Sequence, residues 1–157
     1  MNSLNPMFQK KNHINNRPAL KNDTEKIKKN RQPRNDKCHN IKFPVNTLMQ
    51  MKLRTYCKQA RYLGFLKNGQ PMSQTVFNTA LLLYGLKQIE RVSWDLEYED
   101  TKIYMHTMPK EEDYRLIGGP YGIAIQKQTS DRRVVFMVVH SVLQWIEKGG
   151  SLEEILQ

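Results

Sequence analysis

The chain has 157 residues, 39% of them hydrophobic, with 25 Lys or Arg against 15 Asp or Glu and a net charge of +10. That length accommodates one domain with appendages or two small modules, and it excludes a large enzyme core. The longest apolar run, residues 134–139, is far short of the roughly 20 residues needed to span a bilayer, so no membrane segment is expected.

Two cysteines, Cys38 and Cys57, show no zinc-site spacing, and no apolar leader opens the chain, so a reduced, cytoplasmic protein without metal or cofactor is the expectation. Charge is segregated along the sequence. Residues 1–37 carry +7, residues 38–91 carry +7 with Glu90 as their single acid, and residues 92–157 carry −4. A polyanionic partner, nucleic acid ahead of an anionic membrane surface, is implied for the first two thirds.

Residues 1–37 hold repeated Asn and Lys, three prolines and few large apolar side chains, which gives a disordered basic tail. Its cations, Arg31 and Arg34 among them, suit an arm that follows phosphates without reading sequence. Alternation begins at 40, with Ile41, Phe43 and Val45 on one side and Asn40, Lys42 and Pro44 on the other, the period of a half-buried strand. Asn46 or Thr47 can cap a helix over 46–63, whose apolar face includes Leu48, Met51, Leu53 and Ala60. Gly64 ends it, and 64–72 is a loop with Gly69 and Pro71 as turn residues. Ser73 is the N-cap of a second helix over 73–91, with Val76, Phe77, Ala80, Leu81 and Tyr84 along its apolar side.

Beyond 92, strands are predicted over 93–98 and 102–108, a polar loop over 109–113, and a glycine-rich turn over 118–122. A helix opened by Ser130 and Asp131 follows through about 148, although its valines leave a strand possible over 133–139. Ser151 with Glu154 forms a capping box for a last turn. The fold class is therefore α+β, mainly helical.

A strand of this length followed by two helices cannot close its own edge, and pairing it with the same strand of a second subunit buries Ile41 and Phe43 while turning Asn40 and Lys42 outward. A two-stranded ribbon fits the DNA major groove, where Asn can pair with adenine and Lys can reach guanine acceptors. Through Phe43-Pro44, the helix with Ala60, and Ser73 opening a helix with Ala80 and Leu81, residues 38–91 resemble the ribbon-helix-helix family of the Arc and MetJ type. The resemblance implies an obligate homodimer on double-stranded DNA, with Asn40 and Lys42 as base readers. It places phosphate at the amides of Ser73, Gln74 and Thr75; separately from it, Lys67 on the 64–72 loop and Arg34 and Arg31 in the basic arm are expected as further phosphate contacts. Ile41, Phe43, Leu48, Val76, Phe77 and Ala80 would form the dimer core. The 64–72 loop is longer than the family's tight turn, and Cys38 stands where a polar reader is expected.

On this reading residues 1–37 are a tail, 38–91 a ribbon-helix-helix module, and 92–157 an acidic α+β region that oligomerises or binds a protein partner. The function implied is that of a transcriptional repressor or a plasmid or mobile-element accessory factor for copy control, partition or transfer. Two rivals use other residues. Asp95, Glu97, Glu99 and Asp100 with Lys102 would serve a magnesium-dependent nuclease, although all five fall within eight residues. Tyr98, Tyr104, Tyr114 and Tyr121 would stack RNA bases. His106 and His140 have no ligand-spaced neighbour and are expected as packing or surface histidines.

Overall fold

The computed structural model describes Arg34, residues 36–64, the backbone at 66 and 67, and residues 69–157. The stretch predicted as a disordered tail, Arg31 included, lies outside the described residues except for Arg34, Asp36 and Lys37. The strand β1 (Ile41–Pro44) buries Ile41 and Phe43 and exposes Lys42, as its alternation demands, but Pro44, expected on the outer side, is buried as well. Asn46 then caps α1 (Thr47–Tyr62) by accepting from the amide of Met49, and Gly64, at φ +78°, takes the left-handed conformation that ends it. The predicted loop contains a minimal hairpin, β2 (Leu66–Lys67) against β3 (Gln70–Pro71).

Ser73 caps α2 (Gln74–Lys87), which passes into a single 3-10 turn, Ile89–Arg91. Residues 92–101 keep the predicted alternation, with Trp94, Leu96 and Tyr98 half-buried and Asp95, Glu97 and Glu99 exposed, yet they form no strand. One apolar side is enough to produce the pattern; a ladder also requires a hydrogen-bonding neighbour. The segment predicted at 102–108 is β4 (Tyr104–Thr107).

The predicted polar loop at 109–113 is instead the start of a helix, α3 (Glu111–Gly118), whose first turn carries Glu111, Glu112 and Asp113. Three carboxylates at the positive end of the helix dipole favour that outcome. After α4 (Ile123–Gln126), Ser130 caps α5 (Asp131–Glu147), so the valine run is helical. Ser151 accepts from Glu153 at the start of α6 (Leu152–Leu156), while Glu154 turns away to accept from the Tyr84 hydroxyl.

β1 and β4 are antiparallel, with Ile41 opposite Thr107, Lys42 opposite His106, Phe43 opposite Met105 and Pro44 opposite Tyr104. The pairing continues past both strand ends: Val45 donates to Ile103 at 2.9 Å, His39 to Pro109 at 2.9 Å, and the amide of Glu111 to Lys37 at 2.8 Å. The ribbon expected between two subunits is thus completed inside one chain.

α5 lies against α2, β1, α3 and α4, and Val134 to Val139 are all buried. A helical run apolar on every side, as 134–139 is, requires a site of this kind. The buried Asn78 fastens α2 to the ribbon by donating to the His106 carbonyl at 3.1 Å, and Thr79 Oγ1 accepts from the Met108 amide at 2.9 Å. Ile41, Phe43, Leu53, Phe77, Leu81, Ile117 and Val138 belong to one hydrophobic cluster. Residues 33–157 accordingly form one compact unit, and the expected boundary at 91/92 does not divide the core. No helix among the described residues is long and apolar enough to cross a membrane.

Gly85 sits where α2 meets α5, and a Cβ there would overlap the side chains of Val138 and Val142. Alanine would gain up to about 1 kcal/mol of helix propensity, whereas overpacking a rigid valine contact costs about 1–3 kcal/mol. Gly85→Ala is expected to lower the urea midpoint with an unchanged slope. A double-mutant cycle with Val138→Ala is expected to show favourable coupling between the two changes.

Candidate nucleic-acid interface

Because odd residues of β1 take both the core and the ladder, Asn40 and Lys42 are left facing out, whereas Pro44, expected on the same side, is buried. The same parity holds on β4, so Lys42 and His106 face each other on the outer surface and Asn40 Oδ1 lies 3.0 Å from His106 Nδ1. Tyr104 shares this surface, and its hydroxyl donates to Asp100 at 2.6 Å. That bond holds the Asp100 carboxyl below its usual range and raises the tyrosine. The first turn of α5 brings the Arg132 guanidinium over the Tyr104 ring at 6.0 Å, and Arg133 over Tyr98 at 5.7 Å. A shallow hollow of about 310 Å³ separates Lys42 and Asn40 from Tyr114, Asp131 and Arg132. Among the described residues, Lys42, Arg132 and Arg133 form no ion pair.

The other expected site residues are distributed as follows. Ser73 is exposed, but its hydroxyl is committed to the α2 cap, 3.3 Å from the Val76 amide. The Gln74 side chain is turned inward, donating to the Leu53 carbonyl at 3.2 Å and to Asn78 at 2.9 Å. Thr75 is half-buried and its carbonyl accepts from Thr79. The first-turn amides of Gln74 and Thr75 have no intrahelical acceptor, which keeps them available to an anion. They stand roughly 6–8 Å along the helix axis from Thr79, where α2 meets the ribbon's end. Arg34 is exposed, the side chain of Lys67 lies outside the described residues, and so does Arg31.

The residues expected to form a dimer core are a different case. Ile41, Phe43 and Phe77 are buried by their own chain, and Val76 and Ala80 pack half-buried against the same cluster. Leu48 is 60% exposed, on the outer side of α1 near Met51. The correction has one cause: β4 and α5 supply the cover that a second subunit was expected to provide.

Asp95, Glu97 and Glu99 point outward along an extended segment, and no three His, Cys, Asp or Glu among the described residues are placed to hold a metal ion. The four tyrosines do not gather. Tyr98 packs edge-on against Phe136, Tyr104 lies on the ribbon, Tyr114 donates to Asp131 at 2.9 Å, and Tyr121 is exposed. His140 stacks on Phe136, and burial lowers its pKa.

One network beside the ribbon was not anticipated. Glu111 accepts from His39, lies 3.5 Å from the Lys37 ammonium and 3.6 Å from the Arg115 guanidinium, and His39 stacks on Tyr114 with centroids 3.8 Å apart. It joins the approach to β1 to α3, and through Tyr114 to Asp131 at the head of α5. The acidic triplet at 111–113 was the available signal, because it marks a helix start. No family model, curated protein or solved structure matches the chain.

The hydrogen bond from His39, aided by Lys37, holds the Glu111 carboxyl below its ordinary value. A carboxyl depressed in the folded state stabilises above its unfolded pKa and loses that contribution as pH falls through the folded one. Glu111→Gln is therefore expected to lower the Tm at pH 7. The gap from the parent protein should close as pH is lowered past about 4, measured by thermal melts across pH.

Proposed function

We propose that the chain binds duplex DNA by setting the outer face of the β1–β4 ribbon into the major groove, with Asn40 and Lys42 reading base edges. The observation that carries this reading is the outward pair itself: a hydrogen-bonding amide and an ammonium without an ion-pair partner among the described residues, held on a two-stranded ribbon whose other face is core. A ribbon of that kind has the dimensions of the groove, and Asn and Lys have the donors and acceptors to distinguish adenine and guanine. Arg132 and Arg133 supply cations for the phosphates beside the ribbon.

The mode is that of the ribbon-helix-helix proteins with one difference: each copy brings a whole ribbon, so two copies occupy two half-sites instead of sharing one groove insertion. A repressor, or a plasmid or mobile-element accessory factor, is the role that suits such binding.

The test begins by selecting a cognate duplex from a random pool and measuring affinity by fluorescence anisotropy across salt. Lys42→Ala is expected to cost about 1–3 kcal/mol on the selected duplex and much less on random duplex. Arg132→Ala is expected to weaken both alike and to flatten the salt slope. Equal losses on both duplexes for Lys42→Ala would remove it as a base reader, and absence of salt-dependent binding would remove the DNA reading altogether.

A further inference from the structure

A second candidate site lies at the far end of the α2–α5 contact, away from the ribbon. Where α2 gives way to the 3-10 turn and α5 approaches its C-terminus, the two helices flank a half-open pocket of about 150 Å³. That volume is about what a single benzene ring occupies.

Its walls are Tyr84, Val92, Val142 and Trp145, and its rim carries Arg91 and Lys148 with no carboxylate in the lining. Neither cation forms an ion pair among the described residues. The ring surface is fixed in place: Tyr84 and Trp145 lie 5.2 Å apart at 32°, the Tyr84 hydroxyl is tied to Glu154 at 2.8 Å, and the backbone of Gly150 presses on the indole so closely that a Cβ there would overlap it. The polar groups at the floor are already satisfied, since Ser141 accepts from the Ser93 amide at 3.0 Å and donates to the Met137 carbonyl at 2.7 Å. A ligand therefore finds two aromatic rings and two valines, the half-buried amides of Gln88 and Gln144, and unpaired positive charge at the mouth.

We propose that this cavity binds a small aromatic carboxylate, its ring between Val142 and the Tyr84–Trp145 pair and its carboxylate at Arg91 and Lys148. The chemistry selects among ligands of equal size. A neutral ring gains the apolar walls but leaves the cations unused, and a cationic ring meets two like charges at the rim. An inorganic anion gains the cations but fills none of the apolar volume.

The experiment uses the full chain with Trp94→Phe, so that fluorescence reports Trp145, and titrates benzoate, benzyl alcohol and benzylamine. Benzoate is expected to quench saturably and to raise the Tm by several degrees at saturation, with benzyl alcohol weaker and benzylamine silent. Arg91→Ala/Lys148→Ala, which alters only exposed side chains, is expected to weaken benzoate about tenfold while leaving the Tm of the free protein unchanged. Three results would overturn the proposal: no saturation by about 10 mM benzoate, equal responses to benzoate and benzyl alcohol, or undiminished benzoate affinity in the double variant.

Discussion

Ile41, Phe43 and Val45 make two demands that the residues around them cannot meet: apolar cover on one face and hydrogen-bond partners along one edge. β4 answers the second and α5, with α2, answers the first. Everything else is arranged so that these elements can reach β1. Gly85 lets α2 come close to α5, Asn78 and Thr79 hold α2 to β4, and the Glu111 network anchors the approach to β1 against α3. Segregation of charge along the chain is therefore not segregation of structure. The basic and acidic stretches contribute side chains to one core.

The same arrangement determines the surface. Once odd positions on both strands are committed inward, the even ones other than the buried Pro44 form a face composed of Asn40, Lys42, Tyr104 and His106. Arg132 and Arg133 join it from a helix in the acidic third of the chain, so the cationic surface draws on both charge segments. Acids near it are engaged locally: Asp100 with Tyr104, Asp131 with Tyr114, and Glu111 with His39.

What could be read from the chain was what depends on near neighbours. Asn46, Ser73, Ser130 and Ser151 are caps because each side chain bonds an amide two or three residues on, and Asn40 and Lys42 face outward because strand parity is local. What could not be read was pairing. Alternation at 93–98 and at 104–107 is similar in sequence, yet only the second meets a strand, and nothing within either segment distinguishes them. The place of His106 and Arg132 beside Lys42 is illegible for the same reason, since it depends on a register set across the fold. The miss at 109–113 was of another kind. A polar run suggested a loop, while the acids at 111–113 carried the stronger signal of a helix start.

The ribbon joins residues 66 positions apart in sequence, Thr107 Oγ1 reaching the Ile41 carbonyl at 3.4 Å. Closing so long a segment costs entropy before any contact repays it, whereas the turns of α1 and α2 close locally. The helices can gather early, but the outward face of Asn40, Lys42 and His106 exists only when β4 has docked. An unfolded chain has all the charge of the folded protein and none of its ribbon, so its attraction to polyanions precedes any capacity to discriminate among them.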